Sequence, residues 1–115
     1  MSKSVWILER WVSREEMEKD IKQIESADNA SEYMLLAFRK MLELHPEGYW
    51  CGCEGKSNYS QFLRCAERHV KDRSDNITYR VVVADIPNDA QYWAGYKNPV
   101  EDNEALSTIY EIAGR

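Results

Sequence analysis

Three cysteines and one of the two histidines lie within YWCGCEGKSNYSQFLRCAERH, residues 49–69. Thiolates and imidazoles are the natural ligands of zinc, which takes four of them in a tetrahedron. Cys51 and Cys53 sit in a glycine-containing turn, and eleven residues intervene before Cys65. Cys65 and His69 are four apart in a segment with helical periodicity, so their side chains share one helix face and can reach one ion. A turn giving two ligands and a helix giving two is a structural-zinc layout, with Cys51, Cys53, Cys65 and His69 as candidates. The spacing departs from the usual pattern, because Cys-Gly-Cys is one residue shorter than the Cys-x2-Cys that lets two thiolates converge. The competing expectation is that the cysteines are small buried hydrophobes and His69 a cation near a helix C-terminus.

Two other chemistries use the same residues. The tripeptide Gly55-Lys56-Ser57 invites a phosphate loop, but the glycine required five positions before Gly55 is Trp50, so the amides cannot wrap a phosphate. Cys65 beside His69 could act as a thiolate–imidazolium pair in a cysteine-dependent enzyme. No third group in the sequence is assigned to orient the histidine, and neither HExxH nor a serine–histidine–aspartate signature is present.

The elements that must hold these residues follow from periodicity. Residues 4–12, SVWILERWV, read as a strand rich in Val, Ile and Trp. Ser13 with Glu16 makes a capping box that opens a helix over about 14–26, with Met17, Ile21 and Ile24 on a narrow apolar stripe. Asn29 with Glu32 suggests a second box, opening a helix over about 30–45. That helix is apolar around most of its circumference, which predicts either deep burial or a face covered by a partner. A third helix over about 58–72, capped by Ser57 or Asn58, presents Tyr59, Phe62, Leu63, Ala66 and Val70 on one face. Residues 77–86, ITYRVVVADI, form the clearest strand, apolar on both faces and therefore central in its sheet. A last helix over about 102–113 turns Leu106, Ile109, Tyr110 and Ala113 inward and ends at Gly114. The fold class is α+β: a sheet of two to four strands, including 4–12 and 77–86, covered by three or four helices. Two strands alone are marginal, so a further strand near Tyr49 or Tyr92, or pairing of sheet edges between copies, is expected.

A chain of 115 residues with 43% hydrophobic and 30% charged side chains is expected to make one domain, 1–115. A net charge of −5 argues against a general nucleic-acid coat. The exception is a basic stripe of Arg64, Arg68 and Lys71 on the third helix, suited to phosphates or an acidic partner, or to ordinary surface ion pairs. No apolar run approaches the roughly 20 residues of a membrane span, so no membrane partner is expected. The odd cysteine count does not read as a disulfide framework, which places the protein in a reducing cytoplasm. Tyr92, Trp93 and Tyr96 stand on a loop between two prolines, and exposed loop aromatics commonly anchor interfaces.

In format the chain resembles small cytosolic proteins carried by phages and other mobile elements. The resemblance rests on WILERW, SREEMEKDI and YRVV, within residues 5–24 and 79–82, and implies a small regulator or inhibitor that works by binding. The leading expectation is a non-enzymatic protein-interaction module. It would use the helix over 30–45 and Tyr92, Trp93 and Tyr96 to occlude a partner or to bind a second copy of itself, and it would need no cofactor. The alternatives are a nucleic-acid binder stabilised by one zinc and a cysteine-dependent enzyme.

Overall fold

The computed structural model describes residues 2–71, 77–90 and 99–114. The chain runs β1 (Ser2–Ser13), α1 (Arg14–Ser26), α2 (Glu32–Leu44), β2 (Gly48–Gly52), α3 (Tyr59–Lys71), β3 (Tyr79–Pro87), β4 (Pro99–Glu101) and α4 (Asn103–Ile112). This is an α+β fold with one four-stranded sheet, in the order β2-β1-β3-β4. β3 is interior, as its two-sided apolar sequence requires. It pairs antiparallel with β1 from Ser2 opposite Pro87 to Arg10 opposite Tyr79, and with β4 around Val83 opposite Val100. The strand expected near Tyr49 is β2. The other candidate, near Tyr92, lies outside the described residues, and the fourth strand is instead the short β4.

Two compact units make up the chain: residues 1–10 with 52–115, and residues 11–51. The first is built on β1, β3, α3 and α4. Leu8, Tyr79 and Val81 of the sheet pack with Phe62, Ala66 and Val70 of α3 and with Ala105 and Ile109 of α4. Every third or fourth residue of α3 is therefore committed to this core, and fully burying each Phe, Val or Ile side chain contributes about 1.5–3 kcal/mol. The start of α4 is fixed by Asp102, whose Oδ1 accepts from the Ala105 amide at 2.9 Å. Its other oxygen accepts the Trp6 indole N–H at 3.1 Å. A cap and a strand anchor thus share one carboxylate. Gly114 follows the helix at a φ of +78°, the left-handed stop expected of it.

In the second unit, Ser13 caps α1 by accepting from the Glu16 amide at 3.1 Å, and Met17 and Ile21 are its buried residues. α2 begins later than the Asn29 box predicts. Ser31 is the cap and accepts from the Met34 amide at 3.4 Å, because a serine two residues nearer the apolar run offers a capping side-chain oxygen equivalent to that of Asn29. α1 and α2 pack on each other and are joined by an Arg39–Glu25 ion pair. Gly48, at a φ of +124°, admits the turn into β2. A Cβ there would lie 2.6 Å from both the Trp11 ring and the Val12 carbonyl oxygen. The Trp11 and Trp50 rings meet edge to face with centroids 5.3 Å apart.

Candidate functional site

Cys53 is placed by backbone pairing. After β2 the chain runs beside β1. The Cys53 amide donates to the Leu8 carbonyl at 2.9 Å, and Lys56 and Trp6 exchange two further bonds at 2.9 and 3.0 Å. This ladder fixes the Cys53 Cα against the sheet and turns its side chain toward α3. On α3, Asn58 accepts the Gln61 amide at 3.2 Å, which caps the helix, and Phe62, Ala66 and Val70 hold it to the core. Cys65 and His69 occupy the edge of that buried face, both partly buried.

The result is a cluster. The ligand atoms of Cys53, Cys65 and His69 all lie within 4.8 Å of one another. Cys51 is exposed and is not a member of this group. Sequence spacing alone joins four residues, and the structure brings three of them together. Burial pushes the Cys53 thiol up from 9.0 to about 11, opposed by the Leu8 backbone hydrogen bond and reinforced by the neighbouring Cys65 thiol. The Cys53 Sγ–H also points to the Glu54 carbonyl at 3.6 Å. Without a cation nearby, Cys53 is a protonated thiol at neutral pH and a poor nucleophile, since the thiolate is the reactive form.

Arg64, Arg68 and Lys71 are exposed on α3, on the solvent side of the same helix. Lys71 donates to Glu67 at 2.6 Å, an i,i+4 surface pair that holds Glu67 below the usual carboxylate range. A shallow cavity of about 160 Å³ lies along β3 and β4, lined by Arg80, Val81, Val82, Pro99 and Glu101. Its arginine is engaged with Glu9 at 2.8 Å. Nothing in the residue pattern marks this cavity, because β4 is only three residues long and begins at a proline. Tyr92, Trp93 and Tyr96 lie outside the described residues.

The second surface feature is α2. None of its residues is buried, so deep burial, one of the two outcomes its composition allows, does not occur. Tyr33 is 81% exposed, Leu36 64% and Leu44 59%. With Ala37 and Lys40, also exposed, these positions follow at i, i+3, i+4, i+7 and i+11, one stripe along the helix. Met34 and Phe38 are exposed beside it.

These features define the class, a small α+β protein with a thiol–imidazole cluster and an uncovered apolar helix. Comparison with protein-family models, with curated proteins and with solved structures finds no match. No helix among the described residues is long and apolar enough to cross a membrane.

Proposed function

We propose that this protein is a non-enzymatic interaction module that docks the apolar stripe of α2 into a groove on another protein and thereby covers that partner's working surface. The observation that carries this reading is the exposure of Tyr33, Leu36 and Leu44 on a helix with no buried residue. Contiguous exposed apolar surface costs solubility and marks interaction sites. Helix-in-groove recognition uses anchors at this spacing. Lys40, one turn before Leu44, pairs with Glu43 at 3.7 Å, and the two supply the polar rim that such interfaces carry. The aromatic loop with Tyr92, Trp93 and Tyr96 belongs to this proposal as a second anchor, on the strength of its sequence.

The test has two stages. Light scattering on the purified protein first establishes whether a second copy fills the stripe. Recovery of partners from the source cell then compares wild type with Leu36→Glu and Trp93→Ala, each with its helical content checked by circular dichroism. The reading expects a protein recovered by wild type to be lost with Leu36→Glu while the fold is retained. A monomer from which wild type and Leu36→Glu recover the same proteins refutes it.

A further inference from the structure

The cluster on α3 carries an inference independent of any protein partner. The geometry points to a metal site in which Cys53, Cys65 and His69 bind one zinc-class divalent ion, with solvent in the fourth position.

Three observations converge on it. The donor set is two sulfurs and one imidazole nitrogen, the ligands that select zinc over magnesium or calcium, which prefer oxygen. The ligand atoms already lie within 4.8 Å of one another. In a tetrahedral zinc site with Zn–S near 2.3 Å and Zn–N near 2.05 Å, ligand atoms are about 3.6–3.8 Å apart. Closing onto an ion therefore needs a contraction of at most about 1.2 Å, within reach of side-chain rotation about a fixed backbone. That backbone is fixed on both sides. The Cys53 amide is bound to the Leu8 carbonyl, and Cys65 and His69 ride on a helix whose next residues, Ala66 and Val70, are buried in the core.

The three residues are partly buried rather than sealed in the core, which suits an ion that takes its fourth ligand from solvent. Cys51 is exposed and outside the cluster, which separates this site from the four-ligand set that sequence spacing suggests. Two thiolates and one divalent ion sum to zero charge, so the occupied site leaves no net charge at the edge of an apolar core. The ion would tie the segment after β2 to α3. Binding free energy at a site the unfolded chain lacks appears as folding stability.

Cobalt(II) is the probe, because its thiolate charge-transfer and d–d absorption report sulfur ligands and tetrahedral geometry directly. With the reduced, metal-free protein, one equivalent of cobalt should develop both bands to saturation, and zinc should displace them. Cys53→Ser and Cys65→Ser should abolish the charge-transfer band, His69→Gln should weaken and shift the d–d bands, and Cys51→Ser should leave the spectrum unchanged. A readout on unaltered protein guards against variants that fail to fold. Zinc should slow alkylation of Cys53 and Cys65, followed by mass spectrometry, and leave Cys51 as reactive as before. Failure to develop charge transfer at equimolar cobalt overturns the proposal. So does equal alkylation of all three cysteines with and without zinc, or loss of the bands in Cys51→Ser.

Discussion

The position of Cys53 beside a hydrophobic core makes a quantitative prediction about its reactivity. Its thiol is held at about 11 against an ordinary 9.0, first by burial. At pH 8, a thiol of pKa 9.0 is about 9% thiolate and one of pKa 11 about 0.1%, roughly a ninetyfold loss of the reactive form. Intrinsic nucleophilicity rises with basicity with a Brønsted slope of about 0.45, which returns roughly eightfold over two units. The net expectation is that Cys53 in the folded, metal-free protein reacts with iodoacetamide about tenfold more slowly than the same residue in the urea-unfolded chain. Partial burial slows it further. The assay is peptide-resolved mass spectrometry of alkylation time courses at pH 8, native and in urea, on reduced protein stripped of metal by a chelator. A native rate within about threefold of the unfolded rate would contradict the packing of Cys53 beside β1 and against α3, since a raised pKa and partial burial both act in the same direction.

Three further predictions concern stability. The raised Cys53 pKa means that the folded state holds its proton more tightly than the unfolded chain. Its contribution is therefore fully present below about pH 9 and lost as pH rises through about 11. Two units correspond to at most about 2.7 kcal/mol, which solvent screening at a partly buried site reduces to about 1 kcal/mol, readable as a falling urea midpoint between pH 8.5 and 11 that Cys53→Ala removes. Asp102→Ala should cost about 2 kcal/mol, about half from the lost cap and half from the stranded Trp6 N–H. Asp102→Asn should recover only the cap, because the NH2 group that replaces Oδ2 is itself a donor and cannot accept the Trp6 N–H, and thermal unfolding of the two variants separates the terms. Gly48→Ala should destabilise by about 1–3 kcal/mol in denaturant unfolding, since positive φ and the crowding against Val12 and Trp11 act together.

Much of the fold was legible wherever a local rule coincided with a tertiary demand. Ser13 closes a β-branched and aromatic strand and opens a helix with a hydroxyl, and α1 begins at the residue after it. Phe62, Ala66 and Val70 repeat with the period of the helix that buries them, and Val81 and Ala84 lie on opposite faces of the interior strand. Legibility failed where one local signal had two readings. Asn29 and Ser31 both offer capping oxygens, and only the geometry of the turn selects Ser31. An all-round apolar helix is written the same way whether a core or a partner covers it, so the exposure of Leu36 could not be read from its neighbours. In the candidate metal site, the Cys65 and His69 spacing is a property of one helix and was readable. The choice of Cys53 over Cys51 depends on how an extended segment lies beside β1, and this leaves no mark in Cys-Gly-Cys.

The hydrogen bond from the Cys53 amide to the Leu8 carbonyl has an architectural consequence. The chain leaves the first unit just beyond Leu8 and returns just before Cys53, so the whole excursion through α1 and α2 departs and arrives at touching points. An insertion whose two ends already meet can be lengthened, exchanged or trimmed without rewiring the framework that carries them. The exposed helix α2 thus lies within an insertion of that kind, while Cys53 belongs to the framework that receives both of its ends.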